Sequence, residues 1–73
     1  MFKPYRVKAY SEIMNAEMDC ATLDNAFVVY QKLMNSGFYH SGDLVDNNTG
    51  ELYAYFNVAR TGDGVFLETW AAV

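Results

Sequence analysis

The segment Leu23–Asn35 has the clearest helical periodicity in the sequence, and it constrains the fold most strongly. Its apolar residues follow the i, i+3, i+4, i+7 spacing of one buried stripe; they are Leu23, Ala26, Phe27, Tyr30, Leu33 and Met34. Thr22 is suited to the N-cap position, and Gly37 to the left-handed position after the helix. Because one helix covers only one face of a sheet, we expect the strands around it to have one covered and one uncovered face.

Two segments before the helix have the alternation typical of β-strands. Over residues 5–10 and again over 14–20, apolar and polar side chains alternate with a period of two. A turn near residues 11–15 would join these segments into a hairpin, although no glycine or proline fixes it. The alternative is an irregular loop over 11–20, which would remove the second strand.

Three further segments with strand-like composition follow the helix: residues 38–46, 51–58 and 65–73. The turn sequences DNNTGE and RTGDG separate them, and Gly42 indicates a β-bulge in the first of the three. Sequential strands joined by short turns form an antiparallel meander. The predicted fold class is therefore α+β, with a single helix packed on a curled antiparallel sheet in the order ββαβββ, or βαβββ if the first hairpin does not form.

The length of 73 residues predicts a single domain, 1–73, with a small core. Domains of this size often gain stability from disulfides, a metal or a second subunit. Cys20 is the only cysteine, which excludes an internal disulfide, and Cys20 and His40 are too few ligands for a structural zinc site. Good packing or oligomerisation remains, so a homodimer is one expectation. The lone cysteine and the lack of a signal-peptide or membrane-span pattern predict a cytoplasmic protein without membrane association.

The net charge of −4 comes entirely from the second half of the chain. Residues 1–36 carry four basic and four acidic side chains, whereas 37–73 carry five acidic side chains against Arg60 alone. Nucleic-acid binding usually needs a basic surface, so we expect no direct binding to nucleic acid. An acidic half favours association with a basic surface of another protein.

The sequence contains no pattern typical of an active site or of a cofactor site. Cys20 has only His40 as a candidate base, and a nucleophilic pair also needs a third group that orients the base. The segment DNNTGE lacks the glycine at the sixth position and the glutamate at the twelfth that a calcium loop requires. We therefore expect no enzymatic activity, no cofactor and no bound metal.

In the stretch GELYAYF, residues 50–56, both faces of the predicted strand carry apolar or aromatic side chains. Alternation assigns one set to the helix side: Leu52, Ala54, Phe56 and Val58. It assigns Tyr53 and Tyr55 to the uncovered face. The last strand has apolar side chains at both odd and even positions, so its facing is open. One of the two possible facings adds Phe66 and Trp70 to the uncovered face. Soluble monomers seldom expose so many large aromatic side chains together, and Tyr and Trp are enriched in interface cores.

The uncovered face therefore predicts a partner-binding site that combines aromatic anchors with an acidic rim. The anchors are Tyr53, Tyr55 and Trp70, and the rim carboxylates are Asp43, Asp46 and Glu51. Desolvated aromatic anchors surrounded by polar groups are the usual arrangement of interface hot spots. A second interpretation assigns the same aromatic face to the dimer interface of a homo-oligomeric structural domain.

A strand ending in MDCATLDNA runs into the helix AFVVYQKLMNSG, and a three-strand meander follows. Locally, small residues and a threonine cap precede a Leu-x-x-Ala pattern, here in residues 21–26. This layout resembles that of small accessory proteins encoded by bacteriophages, including some anti-CRISPR proteins. The resemblance implies a phage or mobile-element protein that binds and inhibits or modulates a host protein or defence complex in the host cytoplasm. It assigns no role to any individual residue.

Overall fold

The computed structural model describes residues 3–72 as an open five-stranded antiparallel sheet with one helix against one face. The elements are β1 (Tyr5–Tyr10), β2 (Asn15–Cys20), α1 (Leu23–Asn35), β3 (Ser41–Asp46), β4 (Leu52–Thr61) and β5 (Gly64–Ala71). The sheet order is β2-β1-β3-β4-β5, so β2 and β5 are the edge strands. The predicted α+β fold is confirmed in its ββαβββ order. We call the sheet face that carries α1 the helix side and the other the open face.

The helix α1 begins and ends where its sequence predicts. The Thr22 hydroxyl accepts a hydrogen bond from the Asn25 amide at 3.2 Å, which satisfies one of the free amides of the first turn. Gly37 follows the helix with φ of 75°, a conformation that glycine adopts without steric cost. Ala26 and Tyr30, in the middle of the predicted stripe, are buried, and α1 lies over β1, β2 and β3.

Ser11 closes the turn between β1 and β2 in place of a glycine or proline. Its hydroxyl accepts a hydrogen bond from the Met14 amide at 3.0 Å and donates one to the Met14 carbonyl at 2.6 Å. Its backbone amide also donates to the Met14 carbonyl at 3.1 Å. Such side-chain bonds to the local backbone stabilise a turn. The alternative of an irregular loop over 11–20 is therefore wrong.

Gly42 marks a close approach between strands and not the expected bulge. It pairs with Ala9 of β1 on one side and with Phe56 of β4 on the other. A Cβ atom at position 42 would overlap the Phe56 ring and lie 2.7 Å from the Lys8 carbonyl oxygen. Among residues 3–72, Phe56 is the largest fully buried side chain, so the missing side chain at Gly42 makes room for the centre of the core.

A β-bulge interrupts β4 near its start. The register shifts after Leu44, and Val45 pairs with Leu52, which leaves Tyr53 as the extra residue. The Tyr53 ring packs on the helix side, 5.9 Å from the ring of Tyr5, whereas Leu52 is 39% exposed and lies beside Val45. The predicted faces of Leu52 and Tyr53 are therefore wrong, because one extra residue exchanges the two faces of a strand.

The β4–β5 end of the sheet extends beyond the helix. All eight residues of β5 are exposed, and the longest dimension of the molecule is 45 Å. The radius of gyration is 12.5 Å, compared with about 11 Å for a compact chain of this length. We call residues 58–71 the hairpin arm.

We predict that Gly42→Ala destabilises the protein by about 1 to 3 kcal/mol, because the added methyl group must displace the Phe56 ring or the strand β1. Chemical denaturation followed by circular dichroism measures the change. The control is Gly62→Ala, where the new Cβ atom meets nothing within 4 Å, and a change within about 0.5 kcal/mol is expected. Equal stabilities of the two variants would contradict this account of the core.

Candidate protein-interaction surface

The strand β5 presents large apolar side chains on both sides of the sheet. In the β4–β5 register, Phe66 and Trp70 lie on the open face, and Val65 and Leu67 lie on the helix side. Their exposed fractions range from 45% for Trp70 to 67% for Val65. Apolar side chains clustered in this way typically mark an interaction surface. The hairpin arm is therefore the first candidate for contact with another molecule.

Tyr55, Trp70 and Glu68 form a connected group on the open face. The rings of Tyr55 and Trp70 stack with centroids 6.2 Å apart and planes 19° apart. The Tyr55 hydroxyl donates a hydrogen bond to Glu68 Oε1 at 3.1 Å, and this bond raises the pKa of the Tyr55 phenol. The structure thus places two of the predicted anchors together. Glu68 was not predicted, although it follows from Trp70 by the two-residue alternation of a strand.

Asp43 lies beside this group on the open face. It pairs with Tyr55 of β4 on one side and with Lys8 of β1 on the other. Burial raises the pKa of the Asp43 carboxyl, and the charge of Lys8 partly opposes that shift. Of the three predicted rim carboxylates, Asp43 is the one that adjoins the Tyr55–Trp70 stack.

The remaining predicted residues, Tyr53, Asp46 and Glu51, lie together at the β3–β4 turn. Asp46 Oδ1 accepts hydrogen bonds from the backbone amides of Asn48 at 2.7 Å and Thr49 at 3.2 Å, so this carboxylate stabilises the turn. The pKa of the Tyr53 phenol is raised by desolvation, followed by the negative charges of Glu51 and Asp46. The predicted site is thus divided into two groups, because the bulge turns Tyr53 to the helix side and alternation along β3 places Asp46 on the opposite face from Asp43.

The open face of β1 and β2 carries charged side chains that are paired around Arg6. Arg6 Nε lies 2.9 Å from Asp19 Oδ1 and 3.1 Å from Glu17 Oε1 across the β1–β2 pair. The hydrogen bond from Arg6 lowers the pKa of the Asp19 carboxyl. The open face therefore changes from paired charges at the β2 edge to aromatic side chains at the β5 edge.

A groove on the helix side was not predicted from the sequence. It has a volume of about 660 Å³, and its apolar lining consists of Ile13, Met34, Phe38, Val58, Val65 and Leu67. His40, Arg60 and Glu12 add polar groups to its wall. The alternation of Val65 and Leu67 is visible in the sequence. Their approach to the β1–β2 turn and to the end of α1 depends on tertiary packing.

Comparison with protein-family models, curated proteins and solved structures finds no match to this chain.

Within residues 3–72, no helix is long and apolar enough to cross a membrane. The same residues contain no group of three or more His, Cys, Asp or Glu side chains placed to hold a metal ion. Cys20 is buried at the end of β2.

We predict that Asp43→Asn becomes more stable relative to the wild type as the pH rises through the normal titration range of aspartate. The folded protein raises the pKa of Asp43, so the folded state holds this proton more tightly than the unfolded state does. Ionisation of Asp43 with rising pH therefore costs stability, which asparagine avoids. Melting temperatures measured between about pH 3 and about pH 7 test this difference.

The matched control is Asp19→Asn, for which the expected change of relative stability with pH has the opposite sign. The Asp19 carboxyl has a lowered pKa in the folded protein because Arg6 donates a hydrogen bond to it. Its contribution to stability is present above the normal aspartate range and is lost as the pH falls through its lowered pKa. Asp19→Asn should therefore reduce the melting temperature near neutral pH, with a difference that shrinks in acid. Parallel pH trends for the two variants would contradict the assignment.

Proposed function

We propose that this protein is a small non-enzymatic interaction protein that binds another protein and thereby inhibits or modulates it. The observation that carries the proposal is the exposure of all eight residues of β5, four of which are large and apolar. The resemblance to bacteriophage accessory proteins supports a phage or mobile-element protein whose partner is a host protein or a host defence complex in the cytoplasm.

The binding surface is the hairpin arm together with the adjoining open face. Tyr55 and Trp70 are its anchors, because their stacking and the bond from Tyr55 to Glu68 hold these rings in one arrangement before binding. A preordered aromatic side chain loses less conformational entropy when it is buried in an interface. Asp43 and Glu68 provide negative charge beside the anchors, which favours a basic surface on the partner.

The first test is affinity capture of the tagged protein from bacterial lysate, followed by measurement of the affinity for the captured protein. We predict that Trp70→Ala and Tyr55→Ala each weaken binding by about 1 to 3 kcal/mol, which is typical of anchor residues. The matched control is Val28→Ala, which removes an exposed apolar side chain from the helix, 50% exposed. If both anchor variants fold and bind as tightly as the wild type, the arm and the adjoining open face are not the binding surface.

A homo-oligomeric structural domain is the second candidate function, and the exposed strand β5 supports it as well. In this case the hairpin arm is the dimer interface, and stability follows mass action. Light scattering would then give twice the chain mass of 8.3 kDa, and the melting temperature would rise with protein concentration. A monomer whose melting temperature is independent of concentration would exclude this alternative.

A further inference from the structure

The hydrogen bonds between β4 and β5 determine which backbone groups of β5 point outward. The Ala72 amide donates to the Tyr53 carbonyl at 2.8 Å, and opposed residues in an antiparallel pair alternate between bonded and non-bonded positions. In this register, the residues whose backbone N–H and C=O groups hydrogen-bond to β4 are Phe66, Glu68 and Trp70. The intervening residues point their N–H and C=O groups away from β4: Val65, Leu67, Thr69 and Ala71.

An independent bond confirms this alternation. The Val58 amide donates to the His40 carbonyl at 2.7 Å and therefore points toward β3. Val58 pairs with Leu67, so Leu67 lies at a non-bonded position of the β4–β5 pair. Because β5 is an edge strand of the described sheet, these outward groups form a hydrogen-bonding row at its free edge.

The two edges of the sheet differ in their side chains. The edge strand β2 carries Glu17 and Asp19 at alternate positions, both held by Arg6. Charged side chains on an edge strand discourage pairing with another chain. The outward positions of β5 carry uncharged side chains, and Glu68 is the single charged residue between Gly64 and Ala71. The β5 edge is thus the one suited to accept another strand.

We propose that β5 binds an extended segment of the partner protein by strand addition, and that this segment alternates apolar with basic residues. The inference rests on the proposed function and specifies its mode of binding. Side chains of the added strand alternate between the two sides of the sheet. Those on the helix side lie next to Val65 and Leu67, and those on the open face lie next to Glu68 and Trp70.

The surroundings of β5 determine the chemistry of each position. On the helix side, Val65 and Leu67 belong to the apolar wall of the groove, where Ile13 and Phe38 are 84% and 49% exposed. Apolar side chains of the added strand would cover this surface. On the open face, a lysine or arginine would pair with the Glu68 carboxylate and could lie over the Trp70 ring, which attracts cations.

A second copy of this chain fits the β5 edge less well than a basic segment does. Antiparallel pairing over the full strand joins Val65 to Ala71 and Leu67 to Thr69 of the copy, and it places Glu68 directly opposite the same residue. Like charges at directly opposed positions destabilise a sheet. A basic residue at that position replaces the repulsion with an attraction.

The probe is a capped octapeptide that alternates valine with lysine, and a peptide that alternates valine with glutamate is its control. Amide hydrogen exchange measured by NMR reports each backbone group separately. We expect the valine–lysine peptide to slow exchange at the outward amides of Val65, Leu67, Thr69 and Ala71. Phe66, Glu68 and Trp70 already bond to β4, so their exchange should change much less. This alternate-residue pattern distinguishes strand addition from contact with a sheet face.

Charge reversal at Glu68 tests the predicted partner chemistry. Glu68→Lys should reverse the preference, so that the valine–glutamate peptide binds more tightly than the valine–lysine peptide, by about tenfold for a favourable pair worth about 1.4 kcal/mol. Glu17→Lys, which makes the same change at the opposite edge, should leave the preference unchanged. Equal effects of the two substitutions would mean that net charge alone drives binding and would overturn the proposal.

Three further outcomes would overturn strand addition. The first is peptide binding that perturbs Tyr55 and Trp70 without protecting the outward amides, which would retain the proposed function and assign binding to the open face. The second is the absence of peptide binding at roughly millimolar peptide. The proposed function would then be tested only by the effect of Trp70→Ala on the affinity for the captured protein. The third is protection of the outward amides that grows with protein concentration in the absence of peptide, which would identify a second copy as the occupant.

Discussion

The packing of Phe56 over Gly42 is the contact on which the rest of the structure depends. The Phe56 ring fills the space that glycine leaves between β3 and β4, and the Tyr30 ring of the helix lies against it with centroids 5.8 Å apart. The Tyr30 hydroxyl donates a hydrogen bond to the Tyr55 carbonyl at 2.9 Å. Helix and sheet are thus joined at Phe56 and at the backbone of Tyr55 itself, so the core also fixes the backbone beneath the aromatic stack.

The dimensions of a single helix explain why the other end of the sheet lies uncovered. A helix with its side chains is about 10 Å across, and neighbouring strands lie about 4.8 Å apart, so one helix covers two or three strands. Here α1 covers β1, β2 and β3. The second half of β4 and all of β5 extend past it, and β5 therefore exposes Val65 and Leu67 on the same side of the sheet that is buried elsewhere.

The sequence was sufficient to predict the features that depend on local periodicity. The bounds of α1, the Thr22 cap and the element order ββαβββ follow from patterns within short segments. Alternation left the face of the last strand open, and the register between β4 and β5 is what places Trp70 on the same face as Tyr55. The bulge at Tyr53 depends on the register with β3, which no single strand encodes. Gly42 indicated an irregular position, but only the packed structure distinguishes a bulge from a close approach. The groove joins segments that are distant in the chain, so no local pattern reveals it.

The charged edge at β2 has a consequence for the size of any assembly. A sheet that accepts strands at both edges can polymerise into a filament, because each added copy exposes a new edge. Here Glu17 and Asp19 occupy the β2 edge, each paired with Arg6 of the neighbouring strand β1, so growth is restricted to the side of β5. Pairing through β5 alone would therefore join at most two copies of this chain, because the edges that remain free are the charged β2 strands.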